Sequence, residues 1–310
     1  MIFARFKDTA GYQVNDLNFI ESCLYLNKVV KNSRIHQAAV FYRKFQKTIA
    51  QIVIICFNFY QEKLKYKLLK GGENMRIGFT YDLPTLCFPL AHRLGVLSII
   101  KESVRQSSED YYEEIFVRNK REIKPFVFST YFHNLKIEED EIHATKLQLT
   151  VSSHDHAFLL HLYNGSQMIK QFQYRKYTAK LIHTQLLPEK NIHDEEVTFH
   201  LASPMLIENK LGNPVGPESA EYEQELNYIS NLAVQAYHGR SLYRPLKIRN
   251  HVLKKQVVKE DFHQDNHQPL YFTTYKGKIS LEGHPEDLQS LYDCGIGWRT
   301  NLGFGLAHIP

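Results

Sequence analysis

Cysteine is scarce in this chain, and where it occurs it is unpaired in pattern. The four cysteines, Cys23, Cys56, Cys87 and Cys294, stand far apart with no C-x-x-C spacing, so neither a zinc site nor a disulfide framework is implied. Long apolar runs are missing too. The longest in the first seventy-odd residues, around Ile49 to Tyr60, is too short to span a bilayer and is interrupted by Gln51 and Asn58. The opening MIFARFKDTAGYQ lacks the continuous apolar core of a secretory signal. The cytoplasm is therefore the expected compartment, with no membrane partner. Low-complexity linkers are absent as well, so any domains are expected to pack closely.

Charge is unevenly spread. Residues 1–74 hold 12 Lys and Arg against 5 Asp and Glu, whereas residues 75–310 hold 26 against 28. At the junction stands Lys70-Gly71-Gly72-Glu73-Asn74-Met75. Lys-Gly-Gly can be encoded as AAAGGAGGT, a strong bacterial ribosome-binding sequence, and Glu-Asn then spaces it from an ATG. We therefore expect residues 1–74 to be a basic leader outside the true open reading frame, with translation starting at Met75. An authentic basic helical region is the other reading of the same residues.

Glycine, in contrast, is concentrated in one place. CGIGWRTNLGFGLAHIP carries Gly295, Gly297, Gly303 and Gly305 as G-x-G-x5-G-x-G. Such a loop turns through positive φ and lets a ligand approach main-chain amides, which suits an extended polyanion. Arg299, Thr300 and Asn301 between the glycine pairs add phosphate donors. A dinucleotide site would need a strand before the glycines and a helix after them. Beyond Gly305 the chain is an apolar, strand-like run, so that reading fails.

The 236 residues from Met75 suit two domains. The first, 75–190, reads strand (Arg76 to Leu83), helix (about Ala91 to Arg105, with a second piece about Glu109 to Val117), strand (Phe126 to His133), strand (His143 to Val151), helix, strand (Thr178 to Leu187). Ser152 and Ser153 are the expected N-caps of its second helix. The second, 191–310, repeats the order: a strand from Val197, a helix from about Glu218 to Tyr237, two strands, a short helix from Pro285 and a final strand Phe304 to Ile309. The fold class is α+β, two tandem ferredoxin-like, RNA-recognition-motif-like βαββαβ domains.

With its glycine loop the sequence resembles the CRISPR-associated repeat endoribonucleases, the sixth Cas family, which cut precursor CRISPR RNA within its repeats. The resemblance extends to MRIGFTYDL (75–83), KPFVFSTYF (124–132), VTFHLASPMLI (197–207) and YKGKISLEGHPEDLQSLYDCGIG (275–297), in family order across residues 75–310. It implies tandem ferredoxin-like domains and a glycine loop that contacts repeat RNA. It also implies metal-free, cofactor-free cleavage, in which a 2′-hydroxyl attacks the neighbouring phosphate and leaves a 2′,3′-cyclic phosphate and a 5′-hydroxyl. The partner is CRISPR repeat RNA, to which effector-complex subunits and a second copy in a homodimer can be added.

That reaction needs a base, an acid and groups that hold the phosphorane charge, and histidine serves either proton role near neutral pH. Many members use a histidine in or near the first helix, and His92 is the only histidine between Met75 and Phe132, which makes it the candidate. Lys101 falls 180° from it on a helical wheel and is left out, whereas Arg299 suits a phosphate clamp. The sequence departs from the family at Tyr111-Tyr112-Glu113-Glu114-Ile115-Phe116, where many members carry a histidine late in the helical segment. Tyr112 is the second catalytic candidate there, with core packing against Phe116 the alternative.

Other features read as weaker signals. In Val127 to Phe132 the apolar residues do not alternate cleanly, which suits a strand covered on both faces. Tyr131 and Phe132 could stack bases, but core packing is the usual fate of strand aromatics. His154-Asp155-His156 resembles a metal cluster without further ligands at a recognisable spacing, so no metal site is expected. His263 and His267 lie in the polar run DFHQDNHQP, expected to be a solvated hairpin loop. Arg244, Lys247, Arg249, Lys254 and Lys255 either line a groove for RNA or decorate an edge strand. Two function classes remain: the repeat endoribonuclease, and a non-catalytic repeat-RNA-binding subunit of a CRISPR effector complex.

Overall fold

The computed structural model describes residues 75–261 and 269–310, all within one compact unit spanning 71–310. The leader 1–74, His263 and His267 lie outside the described residues. From Met75 the chain forms β1 (Met75–Asp82), a short β2 (Cys87–Pro89), α1 (Arg93–Ser107) and α2 (Glu109–Tyr112), which runs on as a π-helical stretch over Glu113–Arg118. Then come β3 (Phe126–His133), β4 (Lys136–Glu138), β5 (Glu141–His143), β6 (Lys146–Ser153), α3 (His156–Met168), β7 (Gln171–Tyr174) and β8 (Tyr177–Leu187).

Helix α1 buries Val96, Leu97, Ile99, Ile100 and Val104, the apolar stripe of a 3.6-residue period. It stops at Ser108, whose extended backbone breaks the helix and whose hydroxyl accepts from Tyr111 N to start α2. Helices α1 and α3 cross very closely at Gly165, where an added Cβ would lie 1.6 Å from the Ser103 carbonyl oxygen. No side chain fits that crossing.

The first sheet is ordered β3-β6-β1-β8-β7. Without β7 this is the second-third-first-fourth order of a ferredoxin-like domain. Helices α1 and α3 cover the face that carries Ile77, Phe79, Phe128, Leu149 and Val151, all buried. A small sheet, β2-β5-β4, is an addition that no period in the sequence announced, because its strands are three residues each.

The second domain repeats the plan with β9 (Glu196–Leu201), α4 (Tyr222–His238), β10 (Lys247–Glu260), β11 (Leu270–Glu282), α5 (Pro285–Cys294) and β12 (Ala307–His308), in sheet order β10-β11-β9-β12. Its core gathers Phe199, Leu201, Leu226, Ile229, Ile279, Leu281, Leu288 and Leu291. Gly239 ends α4 at φ 67°, and Pro285 at the first position opens α5 behind a His284 cap.

Two expectations change. The N-cap of α3 is Asp155, whose side chain accepts from Ala157 N and Phe158 N; β6 runs through Ser152 and Ser153, and the Ser153 hydroxyl donates to the Pro125 carbonyl. The last strand is only Ala307–His308, because the backbone before it is bonded elsewhere, as in Gly305 N to Pro204 O at 2.9 Å.

Candidate functional site

The glycine loop comes directly after α5 and is mostly buried. Gly295, Gly297, Gly303 and Gly305 have φ of 91°, 98°, 81° and 77°, a region L side chains rarely adopt. Each also has a near neighbour: a Cβ would lie 2.8 Å from Val127 at Gly295, 2.5 Å from Leu206 O at Gly297, 2.6 Å from Phe128 at Gly303 and 2.0 Å from Ile296 O at Gly305. Two of the four thus let the loop dock on β3 of the first domain. The amides of Ile296, Trp298, Leu302, Gly303 and Gly305 all donate to protein carbonyls. These five are therefore committed inside the protein and do not cradle a polyanion. Thr300 is buried, Asn301 half-buried, and Arg299 points outward at φ 57°. Its guanidinium lies 3.4 Å from Glu208 and 5.1 Å from the Phe272 ring centroid.

Arg76 completes this seam. From β1 it donates to the carbonyls of Ala307 and Tyr292, both at 2.6 Å, stacks on the Tyr292 ring at 3.8 Å and lies 3.4 Å from Glu189. Burial, and then the neighbouring Asp293, push the Glu189 carboxyl up to about 8 against the pull of Arg76, while burial raises Asp293 to about 7. Beside Arg76 opens a cavity of about 310 Å³, lined by residues of both domains that include Ser129, Thr150, Ala202 and His308.

Each sheet turns the face without helices outward on either side of this cavity, and the two faces differ. On the first, the registers place His183, Thr80, Gln148 and Tyr131 in one row and Gln185, Gly78, Thr150 and Ser129 in the next. On the second, one row runs His308, His200, Lys278 and Val252, and Lys276 pairs with Lys254 beside it. The His200 and His308 rings lie 5.2 Å apart. Lys254 and Lys255 are thus exposed on opposite faces of β10. Arg244 and Arg249 are tied to Glu195 and Glu282. The strand β3 is covered on both faces only at its inner end. Val127 and Ser129 are buried, whereas Tyr131 is 62% exposed and Phe132 packs in the core.

His92 stands just before α1 and is enclosed. Its Nδ1 donates to the Leu90 carbonyl and its Nε2 accepts from the Thr130 hydroxyl, both at 2.9 Å, with Phe132 edge-on at 5.0 Å. Burial, then the Arg93 charge, hold its pKa down to about 3. Both ring nitrogens are engaged and the ring is buried, so it does not face solvent. Lys101 is elsewhere, over the Phe116 ring. Tyr112 packs 5.4 Å from Phe116, and it is Tyr111 that reaches across, donating to Asp155 at 2.6 Å and stacking on His161 at 4.6 Å.

A second group forms where α3, α4 and α5 meet, and the sequence reading missed it. The three residues of His154-Asp155-His156 diverge, as adjacent residues should: Asp155 caps α3 and His154 Nδ1 lies 3.0 Å from Cys294 Sγ. The His154 ring is 4.7 Å from Tyr237 and 5.4 Å from His238. His238 is exposed, with its Nε2 2.8 Å from the Ser290 hydroxyl. The Tyr237 hydroxyl donates to the Lys124 carbonyl at 3.2 Å and bonds Thr300 of the glycine loop. The signal in the sequence was two histidine-bearing segments flanking helix ends, YH at 237–238 and HDH at 154–156.

Comparison with known families matches residues 187–309 to CRISPR associated protein Cas6, C-terminal. Comparison with curated proteins finds no match. Among solved structures, a Cas6-related protein of Pyrococcus furiosus is 17% identical over 76% of this chain and 98% of that one, with a TM-score of 0.65. A structure described as an RAMP protein binding different RNA substrates is 18% identical over 76% and 99%, with a TM-score of 0.63. A Cas6 product complex is 12% identical over 76% and 99%, at 0.54. These likenesses show a shared fold. Residues 187–309 thus match the C-terminal domain of Cas6, and the fold of the described chain is shared with Cas6 structures.

Proposed function

We propose that the protein cleaves precursor CRISPR RNA within its repeats, without metal, by 2′-hydroxyl attack that leaves a 2′,3′-cyclic phosphate and a 5′-hydroxyl. The observation that carries this reading is the Cas6 C-terminal domain docked through its glycine loop on a second ferredoxin-like domain. The lysine and histidine face of the second sheet and the polar, Tyr131-bearing face of the first support repeat RNA as the ligand: lysines track phosphates and an exposed ring stacks bases. His92 and Tyr112 are the catalytic candidates from sequence, with Arg299 as the clamp. His92 enters only by exchanging its Thr130 bond for substrate, and Arg299 by exchanging Glu208.

The test is single-turnover cleavage of repeat RNA in chelator with end-group analysis of the products. Cyclic phosphate and 5′-hydroxyl ends support the reading, as does loss of cutting when the 2′-hydroxyl at the cut site is replaced by hydrogen. Tight binding with no cutting would leave the chain a repeat-RNA-binding subunit instead.

A further inference from the structure

The enclosure of His92 leaves the proposed reaction in need of a base and an acid that substrate can reach. The group at the α3–α4–α5 junction supplies both. We propose that His154 and His238 are the acid–base pair of an RNA-cleaving site at the domain junction, resting on the cleavage reading above. One histidine comes from each domain, so the pair exists only when the two are docked. Their ring centroids are 5.4 Å apart. That spacing lets both imidazoles reach one phosphodiester lying across their free edges, each within about 3 Å of the oxygen it serves.

The free atoms are the right ones. His154 spends Nδ1 on Cys294 and His238 spends Nε2 on Ser290. The other nitrogen of each ring has no hydrogen-bond partner among the described residues. Burial, then the His238 charge, hold His154 down to about 4, which leaves it unprotonated at neutral pH, the state a base needs. Partial burial, then the Arg240 charge, lower the pKa of His238 at the end of α4, and a bound phosphate diester offsets this by favouring the protonated form.

Exposed cations lie a few residues along the chain from this junction. The turn closed by Glu122 N on Asn119 O leads into Lys124 and Pro125, whose carbonyls bond Tyr237 and Cys294. Lys120 and Arg121 of that turn, and Arg118 at the end of the π-helical stretch before it, are exposed. In the step itself His154 takes the 2′-hydroxyl proton as the 2′-oxygen bonds phosphorus. The bond from phosphorus to the 5′-oxygen breaks, and His238 gives its proton to that oxygen. The products are a cyclic phosphate and a 5′-hydroxyl, and no other reactant is needed.

The experiment uses the full chain and a 5′-labelled repeat RNA from the CRISPR array of the source genome, under single turnover, with Kd and melting temperature measured in parallel. His238→Ala and His154→Ala should each slow cleavage by about 10²- to 10⁴-fold, with Kd within about twofold. His238 is exposed, so its variant keeps the test valid even where His154→Ala destabilises the fold. If the parent cuts and His238→Ala cuts at the parent rate, the inference falls while the cleavage reading stands. It falls too if His92→Ala abolishes cutting and His238→Ala does not. If the parent binds and never cuts, the cleavage reading itself has failed.

Discussion

The two domains share one strand order and differ in almost everything they show. The first presents an outward sheet of Thr80, Gln148, Thr150 and Gln185 with one exposed aromatic, Tyr131, at its margin. The second presents His200, His308, Lys254, Lys276 and Lys278. A duplicated topology therefore fixes neither chemistry nor ligand, which live on the outward positions and the inserted loops. The glycine loop of the second domain belongs to neither face: Gly295 and Gly303 set it against the first domain, and Arg299 stays exposed.

The largest expected effect breaks that union. Gly303→Val forces a branched residue to φ 81° and puts its Cβ 2.6 Å from the Phe128 ring of the first domain. Strain and overpacking together cost about 3 kcal/mol or more, a sizeable share of a typical total stability of about 5–15 kcal/mol. Chemical denaturation should show a lower midpoint, and repeat-RNA binding should fall with the folded fraction. A variant of parental stability that has lost binding alone would return the loop to a direct role in gripping RNA.

Much of this was legible in sequence, and the limits are instructive. Both βαββαβ units could be placed from periodicity, because an apolar stripe such as Val96 to Val104 carries its own 3.6-residue signal. The glycine loop was visible as a motif, yet its task was not, since Val127 and Phe128, against which it packs, lie about 170 residues away in the chain. His92 was hidden for the same reason: nothing near it in sequence tells that Thr130 closes over its ring. His154 precedes α3 and His238 ends α4, and no spacing rule joins residues on different domains.

A smaller pair of effects sharpens the contrast between the sheets. Lys276→Ala with Lys278→Ala removes two exposed cations, so repeat-RNA affinity should weaken and its logarithmic salt slope flatten by about 0.7 per lost phosphate contact. Tyr131→Ala should cost about 1–3 kcal/mol of binding from lost stacking with the slope unchanged. Filter binding across a salt titration separates the two. Should the lysine variant lose affinity with an unaltered slope, the second sheet does not track the backbone.

The smallest effect probes the seam by pH. Glu189 is held at about 8 and Asp293 at about 7 by burial in the folded protein, above the ordinary 4.5 and 3.8. The unfolded chain then gives up protons that the folded one keeps, so folding stability falls as pH rises from the unfolded value through the folded one. His92 and His154, held at about 3 and 4, act the opposite way and cost stability only below about 6.5. Between about pH 7 and 8 the histidines are neutral in both states and Glu189 is left as the principal titrating group of the seam. The parent's melting temperature should drop by a few degrees over that interval, at about 2–4 °C per kcal/mol for a domain of this size, and Glu189→Gln should remove most of the drop while keeping the side-chain volume. Equal slopes in parent and variant would mean that the carboxyl is already ionised at the seam, with Arg76 outweighing its burial.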